Sequence, residues 1–210
     1  MNINKESEIF IKNIIFGVGD RVLSVTNVSN VFRAVRNGYR DMQPRTFKKV
    51  PSNPAPKINK MQRNIVLTNL AQAFVNYFQN PPPNFDDWHK KTCDTFLIEL
   101  NNLLQNSGYQ KVEYGKAQKI VNVTFKYLYL FDDAKNYLHL FKDCHFILDG
   151  YTIQWYNAQI AATNVTKPWS DLDYSTYIQI QKDIKQHLLK STKYPTNPFE
   201  AEFYIWAEHL

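Results

Sequence analysis

Two residues carry most of the chemistry this sequence offers, a lysine at position 119 and an aspartate at position 149. Lys119 lies in a stretch that reads Gly-Lys-Ala-Gln-Lys-Ile-Val-Asn-Val-Thr-Phe-Lys-Tyr-Leu-Tyr-Leu-Phe over residues 115–131. On a helix, Lys119, Asn122 and Lys126 fall within about 60° of one another, with Gln118 and Tyr129 extending the edge and apolar residues filling the rest. A lysine at the rim of an apolar cleft loses hydration of its ammonium. Its pKa then falls, and the free amine becomes a nucleophile or a base. The same stripe also suits a solvated face of an amphipathic helix, and spacing alone does not separate the two. Asp149 follows the apolar run Phe146-Ile147-Leu148 and precedes Gly150-Tyr151. A carboxylate there is either an ordinary helix N-cap or a catalytic group at a cleft mouth, its charge favoured by the helix N-terminus.

The elements around these residues read as helical nearly throughout. An apolar segment over residues 9–16 ends at Gly17 and Gly19, and Asp20 is placed to cap a helix through Val22, Val25, Val28, Phe32 and Val35. Residues 44–56 form a basic, proline-rich loop. A helix follows over 58–79, with Met61, Ile65, Leu70, Phe74 and Phe78 near one face, and three prolines at 81–83 stop it. Asn84 caps the next helix, which runs to Ser107-Gly108, and the apolar helix over 116–131 follows. After Asp132-Asp133 come a short helix at 137–141 and a helix from Asp149 to about residue 162. Ser170 and Asp173 resemble a capping box for a helix through Tyr177, Ile180, Ile184 and Leu188. Asn197 and Pro198 open a last helix that carries Phe199, Phe203, Trp206 and Leu210. The expected architecture is all-α: seven to nine helices in one domain over 1–210, with subdomains at 1–110 and 111–210 and a cleft between them as an option.

Charge narrows the partners. The net charge is +6. Residues 33–63 hold nine basic side chains and a single acid, Asp41, so this window exceeds the total and leaves the remainder slightly acidic. One strongly basic segment on a near-neutral protein points to an anionic partner. No apolar run is long enough to cross a membrane, and the first residues lack an export-signal pattern, so a cytoplasmic protein with no membrane partner is expected. Cys93 and Cys144 are too few for a disulfide framework, and with His89 and His145 they lack metal-ligand spacing, so no metal is expected. Asp132-Asp133 and Asp171-Leu172-Asp173 read as turn and cap residues. Nucleotide-binding glycine motifs and the common hydrolase motifs do not occur.

Taken together, Gln118-Lys119-Ile120-Val121 and Phe146-Ile147-Leu148-Asp149-Gly150-Tyr151-Thr152-Ile153 resemble the helix-hairpin-helix superfamily of DNA glycosylases. In that family a catalytic lysine starts one helix and an aspartate opens the next, in a segment that reads apolar-Pro-x-Asp-x-x-Val. The long separation between the two residues is similar to the archaeal 8-oxoguanine glycosylase branch, which also lacks an iron–sulfur cluster. The resemblance spans about forty residues. Where the family has a Leu-Pro-Gly-Val-Gly-like turn, this chain has Val112-Glu113-Tyr114-Gly115, which leaves Lys116 as a rival to Lys119.

What the resemblance implies is a base-excision enzyme acting on DNA without a cofactor. It would flip a nucleotide out of the duplex and displace a damaged or modified base with Lys119, forming a Schiff base that permits strand cleavage. Asp149 would stabilise the sugar cation. Tyr151, Trp155 and Tyr156 would stack on the base, and Gln118, Asn122 and Gln154 would read its edges. Arg33, Arg36, Arg40, Arg45, Lys48, Lys49, Lys116 and Lys126 would contact phosphates. Genome repair and defence against modified phage DNA both fit. A non-catalytic nucleic-acid-binding protein and an interaction factor of phage or mobile-element origin are the competing expectations.

Overall fold

The computed structural model describes residues 5–51 and 56–208, and it is all-α. Nine α-helices occur among the described residues: α1 (Lys5–Phe16), α2 (Val28–Asp41), α3 (Lys60–Gln79), α4 (Phe85–Asn106), α5 (Tyr114–Leu128), α6 (Leu138–Phe141), α7 (Gly150–Gln159), α8 (Tyr174–Lys190) and α9 (Pro198–Ala207). No helix among those residues is long and apolar enough to cross a membrane. Part of the proline-rich loop, including Pro54, and Leu210, expected on the last helix, lie outside the described residues.

Short polar side chains start most of these helices. Asn27, Asn59, Asn84, Asp149, Asp173 and Asn197 each accept a hydrogen bond from a first-turn amide, which satisfies donors that have no partner inside the helix. Two of these caps correct the sequence reading. The second helix starts at Asn27, not at Asp20. Residues 20–27 are irregular because aspartates across the fold supply the partners a helix would have provided. Asp132 accepts from the Leu23 amide (2.7 Å) and pairs with Lys12, while Asp133 accepts from the Val25 amide (3.0 Å) and the Ser24 hydroxyl (2.6 Å). Asp132 and Asp133 thus hold a loop that buries Leu23 and Val25, as well as forming a turn. In the second correction, Asp173 is itself the N-cap of α8, accepting from the Thr176 amide, and does not close a capping box with Ser170.

α5 lies at the centre and packs against α2, α4, α8 and a short 3-10 turn at Trp169–Asp171. Most of its residues are buried on every side, the polar ones included. Around Phe125 the core is aromatic, with Phe74, Tyr77, Phe78, Phe85, Trp88 and Phe141 in edge-to-face or tilted contact. Leu70, Phe74 and Phe78 of α3 join this core, but Met61 and Ile65, expected on the same face, are exposed because the first turns of α3 project beyond it.

Two glycines allow close approach to α5. A Cβ on Gly38 would lie 2.7 Å from the Thr124 hydroxyl, so α2 seats directly on α5. A Cβ on Gly115 would lie 1.9 Å from the Trp169 carbonyl oxygen, and the Gly115 amide donates to the Leu172 carbonyl at 2.9 Å. Gly115→Ala must therefore push the 3-10 turn off α5 and cost about 1–3 kcal/mol. Gly150→Ala, which meets no atom within 4 Å at the first position of α7, should be neutral or stabilise by up to about 1 kcal/mol. Urea unfolding of the two variants checks this, and equal effects would contradict the close approach.

Candidate active site

The site is built from two elements, the start of α5 and the chain that leads into α7. Residues 144–148 are buried without regular secondary structure, which is unusual because no strand lies alongside to take their hydrogen bonds. Side chains take them instead. Gln181 of α8 accepts from the Phe146 amide at 3.0 Å and donates to the Phe146 carbonyl at 2.7 Å. Glu202 of α9 accepts from the Ile147 amide at 3.0 Å. Gln118 of α5 donates to the Leu148 carbonyl at 2.8 Å and accepts from the Leu148 amide at 3.4 Å.

This strut delivers Asp149 to α5. One carboxylate oxygen caps α7 through the Tyr151 and Thr152 amides (3.0 and 3.1 Å), and the Thr152 hydroxyl accepts from the Asp149 amide (2.7 Å) to close a capping box. The other oxygen lies 3.4 Å from the Lys119 Nζ. Asp149 is thus a helix cap and the partner of a buried lysine at once. The side chains of Lys119 and Asp149 are 9% and 13% exposed, so the two charges meet largely out of water.

Trp169 lies over Lys119. Its ring centre is 4.5 Å from the Lys119 Nζ and 4.6 Å from the Lys116 Nζ, a shared cation–π contact. Lys116 donates to the Met42 carbonyl (2.9 Å) and the Thr46 hydroxyl (2.8 Å). Burial pushes its pKa down to about 8, and the charge of Lys119 adds to the shift. Beside it lies a groove of about 620 Å³ lined by Thr46, Lys48, Lys111, Lys116, Ser170 and Asp171 among others. The basic loop reaches this groove because it is stitched to the connector before α5, with the Gln110 amide donating to the Lys48 carbonyl (2.9 Å) and the Val50 amide to the Gly108 carbonyl (2.8 Å). Arg36, Arg40, Arg45, Lys48 and Lys49 are exposed.

Other expected site residues sit elsewhere. Gln118 and Asn122 are interior and do not face a base pocket. Asn122 donates to Gln118 and to the Tyr177 hydroxyl (both 3.0 Å), and its carbonyl contacts the His89 Nε2 (2.9 Å). The stripe they belong to is buried by α4, α8 and the strut, so it is not a solvated face. Trp155 is a core residue stacked on Phe146, and Tyr156 is buried with its hydroxyl donating to Asp183. The half-buried Tyr151 packs on Trp206 and donates to the Ile205 carbonyl, and Gln154 is exposed on α7. Lys126 does not reach a surface phosphate site. The aromatic helix α9 closes over it, with Phe199 and Phe203 at 4.1 and 3.8 Å and Glu202 at 3.4 Å. Burial lowers the Lys126 pKa and raises that of Glu202 to about 7. Arg33 donates to the Phe16 carbonyl and locks the end of α1 to α2. His145 links Tyr177 to Asp86. No cluster of metal-ligating side chains occurs among the described residues.

Trp169 at the site, and Gln181 and Glu202 as supports of the strut away from it, were not expected. The only sequence signal for Glu202 is a carboxylate among the aromatic residues of the last helix. Trp169 and Gln181 have no signal beyond their residue types.

A lysine whose folded pKa lies below its unfolded value of 10.5 gives up its proton on folding between the two values, so stability rises with pH from about 8 to 10.5. Lys116→Met should flatten that rise in thermal unfolding scans. An unchanged slope would show that Lys116 is as well hydrated as a free lysine. Comparisons with protein-family models, curated proteins and solved structures find no match to this chain.

Proposed function

We propose that the protein is a DNA glycosylase with lyase activity, using a lysine nucleophile and an aspartate to excise a damaged or modified base. The observation that carries this reading is the contact between Lys119 and Asp149, thirty residues apart in sequence and 3.4 Å apart in space. They come from the two elements that the resemblance to helix-hairpin-helix glycosylases names, the lysine helix and the aspartate-capped helix.

The chemistry follows from this placement. Asp149 stands within reach of the Lys119 ammonium and takes its proton as substrate binds. The freed amine attacks C1′ of the deoxyribose, the base leaves with the glycosidic electron pair and takes up the proton held by Asp149, and the carboxylate so restored faces the positive charge left on the sugar adduct. Asp149 carries the proton of the new secondary amine to O4′, which leaves C1′ with the bond pair to open the ring as a protonated imine on Lys119; a base then removes a C2′ proton and the C3′–O bond breaks, the phosphate leaving with its electron pair. The target nucleotide must leave the stack to reach a lysine this far inside. The exposed cations of α2 and the basic loop supply sequence-independent phosphate contacts beside the groove.

Borohydride reduction with duplex DNA that holds an abasic site tests the proposal. A covalent adduct is expected with the native protein and should be absent with Lys119→Ala. Asp149→Asn should slow excision by about 10²–10⁴-fold. Replacing Arg36, Arg40, Lys48 and Lys49 should weaken DNA binding and reduce its salt dependence. Salt-sensitive binding without an adduct would instead favour a non-catalytic DNA-binding protein, and no binding at low salt would remove both readings.

A further inference from the structure

We infer that Gln118 is a positioning residue: its side-chain amide sets the register of the 144–148 strut so that Asp149, and not a neighbour, meets Lys119. The inference rests on the proposed function only for its effect on turnover. The register itself follows from the contacts.

Gln118 and Lys119 are adjacent on α5, and they engage Leu148 and Asp149, which are adjacent on the strut. One pair is neutral and buried, and the other is charged and at the edge. Consecutive Cα atoms lie about 3.8 Å apart. A slip of one residue would move the carboxylate by about that distance and out of reach of Lys119. The apolar side chains of Phe146, Ile147 and Leu148 do not oppose such a slip strongly, because burial of apolar surface has no direction. A carboxamide does oppose it. It presents a donor and an acceptor side by side, as a neighbouring strand's backbone would, so it grips the N–H and C=O of Leu148 together on one side of the chain.

The Gln118 amide is itself oriented. Asn122 donates to the Gln118 Oε1 at 3.0 Å, so the Gln118 NH₂ must face the Leu148 and Gly115 carbonyls, at 2.8 and 3.0 Å. Asn122 is in turn held by His89 and the Tyr177 hydroxyl. A buried polar network therefore runs from the helix core to the residue before the carboxylate, with Gln118 as its last member. Gln181 makes the same kind of clamp on Phe146, two residues further from Leu148. It serves as an internal control, since its loss removes a comparable buried contact without touching the Leu148 unit.

The test compares Gln118→Leu with Gln181→Leu in the full chain. Amide hydrogen exchange is read at Leu148, single-turnover excision on lesion-bearing duplex gives the rate, and duplex binding gives the affinity. Gln118→Leu should speed Leu148 exchange at least about tenfold and lower the excision rate about 10–100-fold, with affinity within about twofold. Gln181→Leu should destabilise the fold to a similar extent but lower the rate less than about threefold. If Gln118→Leu does not fold, Gln118→Glu, which keeps the acceptor and loses both donors, takes its place with the same expected directions. Unchanged Leu148 exchange, or equal rate losses for the two variants, overturns the inference. If the native protein excises nothing, the proposed function fails, and Leu148 exchange alone decides the positioning role.

Discussion

A peptide unit buried without a hydrogen bond costs more than most single contacts return. That constraint organises this protein around residues 144–148. The segment crosses the interior without regular structure in a helical fold, and three helices reach in with side chains to hold it. Gln181, Glu202 and Gln118 stand where neighbouring strands would stand in a sheet. The arrangement ties α8, α9 and α5 to one another through the strut, and it fixes where α7 begins.

α5 bears the matching burden. A helix buried on all sides is normally apolar, yet this one carries Lys116, Gln118, Lys119 and Asn122 inside. Each has a specific partner: a carbonyl and a hydroxyl for Lys116, backbone for Gln118, a carboxylate for Lys119, and an imidazole and a phenol for Asn122. Near the C-terminal end of the helix Lys126 meets Glu202 under two phenylalanines, where desolvation outweighs the attraction and moves both groups toward their neutral forms. Polar burial on this scale adds little net stability. Its structural effect is directional, since every partner accepts one geometry.

The helices were readable from the sequence because their signals are local. Asn84, Asn197 and the prolines mark ends by their own backbone chemistry, and the apolar period marks the core face. Lys119 and Asp149 stood out as residue types in an unusual setting. The errors came from contacts distant in the chain. Asp132 and Asp133 satisfy amides more than a hundred residues away, which local pattern cannot reveal, so Asp20 looked like a cap. Lys126 has the spacing of a surface cation, but α9, distant in sequence, covers it. Gln118 and Asn122 looked like groups open to a ligand, because nothing in their spacing announces that His89, Tyr177 and Leu148 already occupy them. Of the candidate site, the pair of charges was visible beforehand, while the placement of Trp169 over Lys119 and the support of the pair were not.

The strut also has a consequence for how the chain matures. Its three clamps lie at positions 118, 181 and 202, so two of them follow it in the order of synthesis. When residues 144–148 first leave the ribosome, Phe146, Ile147 and Leu148 form an apolar, strand-prone stretch whose amides lack their final acceptors. Such a stretch is an aggregation hazard until later helices arrive. During synthesis the strut therefore cannot be fully clamped before α8 and α9 emerge, and a nascent chain stalled before α8 would present this sticky segment without protection.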